Sequence, residues 1–215
     1  MSIQPRFLAH KLTSTSKLAS AASTTPHTIE LYLDYVCPFS LKLFTEVYHR
    51  LLPAISERFP AGAFTFVFRQ QIQPWHPSST LVHEAALAVE RIDPSKFWAF
   101  SDALFKASHE FYDTATYNET RAQTYDRLAT LAAESVGVEK QQVLELLAIP
   151  PSQDTPHNWG SKVTDDLKLF IKQGRQTSIH VSPTVLVDGV VDNGISSGWT
   201  TEQWLEKLDA VYKAN

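Results

Sequence analysis

Asp34-Tyr35-Val36-Cys37-Pro38-Phe39-Ser40 is the stretch that decides the fold, because it lies between a predicted strand and a predicted helix. Before Cys37, apolar side chains alternate with other residues over Ile29–Tyr35, and this period of two predicts a strand. After it, apolar side chains recur four residues apart over Leu43–Ile55, which predicts a helix with one apolar face. Pro38 suits the first helical turn, where no backbone N–H is required. Cys37 therefore stands at a strand-to-helix junction.

The rest of the chain supplies the partners of these two elements. A second strand is predicted over Phe64–Phe68, and no strand pattern occurs between Ser78 and about Gln176, where helix signals recur. Thr184–Val191 reads as two short strands joined by a tight turn at Asp188-Gly189. A capping box over Thr200–Gln203 predicts a final helix. The order indicates an α/β fold with one four-stranded mixed sheet and an inserted all-helical subdomain.

We predict three regions from this order: an N-terminal arm over residues 1–28, a sheet domain formed by 29–77 and 177–215, and a helical insertion over 78–176. The arm carries Arg6, Lys11 and Lys17 with no acidic residue before Glu30, and it is rich in Ser, Thr and Ala. Two interpretations stay open: an extended arm that packs on the domain, or a mitochondrial targeting peptide. The corresponding expectation is a cytoplasmic protein, with a mitochondrial location as the alternative.

Composition excludes several classes of function. The net charge is -4, from 19 Lys and Arg against 23 Asp and Glu, so no broad basic surface for nucleic acid is expected. No apolar run approaches the roughly 18 residues of a membrane helix, so we expect no membrane association. A single cysteine rules out an intramolecular disulfide, and the fold therefore needs no oxidising compartment.

The position of Cys37 points to thiol chemistry. At the start of a helix its sulfur faces backbone N–H groups without partners and the positive end of the helix dipole. Both favour the thiolate, which is the nucleophile in disulfide exchange and in attack on electrophiles. The alternative is an inert cysteine of the core. The proline and the strand-to-helix junction favour the reactive interpretation.

These features together resemble the DsbA-like thioredoxin-fold proteins, which include kappa-class glutathione transferases and 2-hydroxychromene-2-carboxylate isomerases. The resemblance is carried by Asp34–Ser40, by the helical block, and by Val181-Ser182-Pro183-Thr184 ahead of the hairpin, and it extends from about Ile29 to the C-terminus. It implies a thioredoxin-like fold for the sheet domain. It also implies that Pro183 belongs to a cis-proline loop; an ordinary proline at a strand entry is the alternative.

Several site residues follow from the resemblance. Cys37 would be the catalytic thiol, and the backbone at Ser182 and Pro183 would lie beside it and pair with a bound thiol peptide. Pro38 and Phe39, within the motif, would contribute to the binding of substrate or glutathione.

The chain departs from the resembling oxidoreductases at Ser40, where they usually have a second cysteine. A disulfide made by Cys37 must then be released by an external thiol, and glutathione is the expected cofactor. The Ser40 hydroxyl, one helical turn along, is a candidate to hydrogen-bond the thiolate. Asp34 is a candidate acid or base beside the thiol, and a simple cap of the turn is the alternative.

The loop after the second strand provides further candidates. The ends of two parallel strands share one sheet edge, so this loop is expected beside Cys37. Trp75 and His76 would wall a pocket there, and Arg69 or a glutamine such as Gln73 would hold a glutathione carboxylate. The alternative is a connector held by its prolines. No metal site is predicted, because the histidines and acids lack ligand spacing.

The leading hypothesis is a monothiol DsbA-like oxidoreductase or glutathione-dependent transferase that acts on a thiol or small-molecule substrate. The first alternative is a glutathione-dependent isomerase of a small aromatic or unsaturated acid, which uses the same pocket without net redox change. The second is a non-catalytic thioredoxin-fold binding module, suggested by the missing second cysteine. A monomer and a homodimer are both compatible with the sequence.

Overall fold

The structure is a computed structural model that describes residues 3–18, 26–151 and 155–213. Five strands are assigned in these residues: β1 Lys11–Thr13, β2 His27–Leu33, β3 Phe64–Gln70, β4 Thr184–Val187 and β5 Val190–Val191. The α-helices there are α1 Pro38–Glu46, α2 Leu52–Arg58, α3 Ser79–Ile92, α4 Phe97–Lys106, α5 Asp113–Thr116, α6 Arg121–Val136, α7 Lys140–Leu147, α8 Thr164–Gln176 and α9 Thr201–Lys213. No helix among the described residues has both the length and the hydropathy that a bilayer-crossing segment needs.

Contacts between the described residues group the chain into two compact units. The sheet unit takes its residues from 1–33, 37–69 and 181–215, and the helical unit from 34–36 and 70–180. The predicted boundaries of the arm, the sheet domain and the insertion stay predictions.

The sheet unit is built on one mixed sheet in the order β1-β3-β2-β4-β5. β2 pairs with β4 antiparallel, with Ile29 opposite Val187 and Tyr32 opposite Thr184. β4 pairs with β5 antiparallel through the Asp188-Gly189 turn, so the predicted hairpin is confirmed. The α/β fold class is confirmed as well.

The sheet has five strands in the described residues, where the sequence predicts four. The additional strand is β1, which pairs antiparallel with β3 and places Lys11 opposite Val67. It lies inside the segment predicted as an arm. Its burial pattern is exposed, intermediate, exposed, and three residues are too few for a period of two to be recognised. β2 also begins earlier than predicted, at His27, and ends at Leu33.

The predicted helix after Cys37 is present but interrupted. Its apolar stripe of Leu43, Val47, Leu51 and Ile55 is buried along the whole length. A turn of π-helix over Val47–Leu51 separates α1 from α2. Pro53 lies in the first turn of α2, and because a proline has no N–H and clashes with the carbonyl four residues earlier, a widened turn accommodates it.

Every regular element described between residues 79 and 176 is an α-helix or a 3-10 turn. α3 is the central helix of this unit and packs against α4, α6, α7 and α8. Glu84 of α3 is fully buried, and its carboxylate accepts hydrogen bonds from side chains on the neighbouring helices and the loop before α8. The donors are Arg121, Tyr125, Ser161 and Thr164. A buried carboxylate thereby fixes the relative positions of three helices.

The sheet unit contains a buried ion pair. Glu30 of β2 and Arg69 of β3 are 0% and 1% exposed, and Arg69 Nε donates to Glu30 Oε2 at 2.7 Å. A pair removed from water in this way gives little net stability, but either charge left alone is costly.

We therefore expect Glu30→Gln to destabilise the fold by about 3–5 kcal/mol, because it leaves the Arg69 charge buried without its counterion. Urea unfolding followed by circular dichroism measures the change. Glu57→Gln is the matched control, because Glu57 pairs with Lys17 where both side chains are more than half exposed, and its effect should be far smaller. Equal losses for the two variants would contradict this account.

Candidate active site

Cys37 occupies the N-cap position of α1. Its backbone is extended, with φ -89° and ψ 119°, and its carbonyl accepts the N–H of Leu41 at 3.0 Å. Pro38 lies in the first turn, as the sequence predicts. The thiol is therefore at the end of α1 where backbone N–H groups lack partners within the helix. Cys37 is 5% exposed, so only a small part of the residue reaches solvent.

The sulfur contacts the loop that enters β4. Cys37 Sγ lies 3.5 Å from the carbonyl oxygen of Ser182, and the thiol is the donor. The Ser182–Pro183 peptide bond is cis. The Thr184 hydroxyl donates to the carbonyl of Val181 at 2.7 Å and holds the loop closed. The sheet unit thus brings together residues 145 positions apart.

Three other predicted residues belong to the same helical turn as Cys37. Ser40 is fully buried, whereas Phe39 is 58% exposed and Pro38 is also exposed. The first turn of α1 therefore offers an apolar, accessible surface at one side and a buried hydroxyl at the other.

Asp34 lies in the helical unit and is fully buried. One carboxylate oxygen, Oδ1, accepts the N–H of Val36 at 3.1 Å and the hydroxyl of Ser79 at 2.9 Å. The other, Oδ2, accepts the N–H of Gln73 at 3.0 Å and lies 3.0 Å from Nδ1 of His76. The carboxylate is thus surrounded by donors, which is how a buried charge becomes tolerable.

His83 completes this cluster. It is fully buried, its Nδ1 hydrogen-bonds Gln70 Oε1, and its Nε2 lies 3.5 Å from Asp34 Oδ1, too long for a well-formed hydrogen bond. His83 and Ser79 are not among the site residues predicted from the sequence. Their i, i+4 spacing places both on one face of α3, and this is the signal that could have found them.

The pKa of Asp34 reflects two opposing effects. Burial alone would raise the pKa, but the interaction with the nearby His83 ring, together with hydrogen bonds from His76 and the Val36 N–H, outweighs it. The net effect lowers the pKa of Asp34 below its ordinary value. The group is therefore ionised near neutral pH and has no proton to donate.

The remaining residues predicted from the loop after the second strand have different surroundings and do not form one group. His76 joins Asp34, and Trp75 is 59% exposed with its ring edge-on to His76 at a centroid distance of 6.1 Å. Gln73 is buried and contributes its backbone N–H to Asp34. Arg69 belongs to the sheet unit and is buried against Glu30, so its guanidinium is already paired and does not favour the predicted contact with a glutathione carboxylate.

Comparison with solved structures identifies the fold of this chain, whereas comparison with family models and curated proteins finds no match. Among solved structures, the chain is similar to a putative protein-disulfide isomerase from Pseudomonas syringae, with a TM-score of 0.67 and 25% identity over 87% of this chain and 96% of the other.

Two further structures are similar at lower identity. The MdbA protein from Corynebacterium diphtheriae, a thiol-disulfide oxidoreductase, matches with a TM-score of 0.58 and 22% identity over 91% of this chain and 93% of the other. DsbA from Mycobacterium tuberculosis in its reduced form matches with a TM-score of 0.60 and 16% identity over 94% of this chain and 90% of the other. The chain therefore has the thioredoxin-like fold of the DsbA-like thiol-disulfide oxidoreductases.

Proposed function

We propose that this chain is a thiol oxidoreductase whose nucleophile is the thiolate of Cys37. The observation that carries the proposal is the placement of Cys37 Sγ at the start of α1 and 3.5 Å from the Ser182 carbonyl. The helix start favours negative charge on sulfur, and the carbonyl belongs to the loop that the resemblance associates with the bound thiol peptide. The similar structures named as thiol-disulfide oxidoreductases support the same reaction class.

The first step is attack by the Cys37 thiolate on a disulfide of the substrate. The sulfur–sulfur bond of the substrate breaks, a new bond joins Cys37 to one substrate sulfur, and the other sulfur leaves as a thiolate. For a glutathionylated substrate, Cys37 would take the glutathione sulfur and the substrate would be released reduced.

The second step needs an external thiol, because Cys37 is the only cysteine of the chain. A thiolate of free glutathione attacks the mixed disulfide, forms oxidised glutathione, and returns Cys37 as a thiolate. We therefore propose a monothiol cycle with glutathione as reductant. Such a cycle suits a reducing compartment such as the cytoplasm.

Pro38 and Phe39 are proposed to contact the substrate. Phe39 is 58% exposed although it is aromatic, and it lies two residues after Cys37 in the chain. An exposed aromatic side chain beside a nucleophile offers apolar contact area to a peptide or small molecule. Ser182 and Pro183 are proposed to offer backbone groups on the other side of the sulfur.

Asp34 is proposed as an anchor for His76 and the segment around Gln73. The lowered pKa of Asp34 argues against the predicted role as a proton donor, since the carboxylate keeps its charge. Its hydrogen bonds instead fix the loop backbone and one nitrogen of His76. The His76 side chain retains some exposure, 22%, whereas the Asp34 carboxylate has none.

Cys37→Ser should abolish turnover of a glutathionylated peptide by glutathione, because a serine hydroxyl cannot form the mixed disulfide. The rate at which the peptide thiol is released measures turnover. In Cys37→Ser we expect this rate to fall to that of the uncatalysed reaction. Ser182→Ala is the matched control, since the contact with the sulfur uses the backbone carbonyl and should keep activity within a few fold. Turnover that persists in Cys37→Ser would remove the thiol from the mechanism.

Ser40→Cys should convert the monothiol cycle into a dithiol cycle. A thiol one helical turn after Cys37 could attack the mixed disulfide from within the chain. Glutathione bound to Cys37 should then leave without added thiol, whereas it should stay bound in the parent chain and in Ser40→Ala. Intact-mass spectrometry of the glutathionylated proteins measures retention. Equal retention by all three proteins would contradict the proposed position of the second cysteine.

Asp34→Asn should lower the free energy of unfolding in a pH-dependent way. Because the folded-state pKa of Asp34 is below its unfolded value of about 3.9, ionised Asp34 stabilises the fold above that pH. This contribution is lost as the pH falls through the folded-state pKa. Urea unfolding should show a gap of about 2 kcal/mol or more at pH 6 that narrows below pH of about 4. A gap that stays constant over this pH range would contradict the ionised anchor.

A further inference from the structure

A polar pocket lies within the helical unit, and all the residues that line it belong to that unit. It has a volume of about 370 Å³ and is bounded by the segment 70–74, Thr80 of α3, part of α8 and the segment 179–180. This volume is typical of small-ligand pockets, which run from about 300 to 1,000 Å³. No Asp or Glu is among the residues that line it.

Arg175 makes the pocket electropositive. It lies in the last turn of α8 and lines the cavity, and its guanidinium makes no ion pair or hydrogen bond with any residue that the structure describes. A guanidinium is charged at all accessible pH values and presents a planar fork that fits a carboxylate. An anionic group of a ligand would therefore meet an available partner.

Gln71 is fixed across one wall of the same pocket. Its Nε2 donates to the carbonyl of Ile179 at 3.4 Å, and its Oε1 lies directly over Gly174, where an added Cβ would be only 2.9 Å away. No donor among the described residues satisfies that oxygen. The hydroxyl of Thr80 likewise has no hydrogen-bond partner in this part of the chain. The pocket thus offers an acceptor and a hydroxyl in addition to its cation.

We propose that this pocket binds a small peptide-like ligand in which a carboxylate adjoins an amide. Arg175 receives the carboxylate, Gln71 Oε1 accepts the amide N–H, and the Thr80 hydroxyl satisfies a further polar atom of the ligand. Sulfate, or another anion without an N–H or O–H group, would leave the Gln71 oxygen without a donor. The proposal is independent of the thiol chemistry of Cys37.

The test is a titration of the full-length chain with N-acetylglycylglycine and, separately, with its C-terminal amide. Changes in the NMR chemical shifts of the isotope-labelled protein report binding in each titration. The free carboxylate should bind at least tenfold more tightly than the amide, a difference of about 1.4 kcal/mol. Cys37→Ser should bind both peptides as the parent chain does. A failure of the proposed oxidoreductase activity would therefore leave this result unchanged.

Arg175→Gln should weaken binding of N-acetylglycylglycine at least tenfold and remove the preference over the amide. Lys172→Gln is the matched control, since Lys172 is exposed on the same helix, does not line the pocket, and carries the same charge. Gly174→Ala should also weaken binding, because the new Cβ displaces Gln71 while alanine keeps α8 helical. No saturable binding, equal affinity for the two peptides, or equal effects of Arg175→Gln and Lys172→Gln would overturn the proposal.

Discussion

The antiparallel pairing of β2 with β4 is the interaction on which the rest of the sheet unit depends. β2 leads towards Cys37, β4 begins directly after Pro183, and the register sets Tyr32 opposite Thr184. The thiol and the Ser182 carbonyl meet because these two strands pair. Most of the residues between them in sequence, 70–180, form the helical unit. The entropic cost of closing so long a connection grows only slowly with its length, by about 0.6 kcal/mol for each doubling. A large insertion is thus compatible with a precise contact.

Two buried carboxylates lie four residues apart and are stabilised differently. Glu30 pairs with the guanidinium of Arg69, whose positive charge balances the negative charge of the carboxylate. Asp34 meets two backbone N–H groups, a hydroxyl and the His76 ring, and the His83 ring lies 3.5 Å away, so several polar groups share the stabilisation of its charge. The first arrangement ties β2 to β3. The second fixes the chain after β3, because the N–H of Gln73 and the ring of His76 both depend on the same carboxylate.

Sequence patterns predicted the elements that have a strong period or a specific turn. The strand before Cys37, the apolar stripe from Leu43 to Ile55 and the Asp188-Gly189 hairpin all follow from local rules. β1 could not be predicted, since its three residues acquire their structure from the edge of β3. The π-helical turn follows from Pro53 in retrospect, but a four-residue apolar spacing does not distinguish a continuous helix from an interrupted one.

Some residues of the candidate site could be predicted from local sequence, whereas others depend on contacts between residues far apart in the chain. Cys37 and Pro38 were recognisable because a helix start has local rules, and Ser182 and Pro183 because of a family resemblance. The partner of Arg69 was not recognisable, because an arginine after a strand reads equally well as a ligand-binding residue or as half of a buried ion pair. The hydrogen bond from Arg69 to Glu30, 39 residues earlier in the chain, decides between these two interpretations. His83 was missed for a similar reason, since Asp34 precedes it by 49 positions in the chain.

Ser40 and the low exposure of Cys37 together define what a monothiol cycle would require. A serine in place of the second cysteine leaves the lifetime of a mixed disulfide to the concentration of external thiol and to its access to sulfur. Cys37 is 5% exposed, so a small thiol would need to displace less of its surroundings than a bulky protein thiol would. The same limited exposure would slow unwanted oxidation of the Cys37 sulfur. In the proposed cycle a small thiol would therefore suit the second step better than a protein thiol, and the exposed ring of Phe39 would be available for contact with the first substrate.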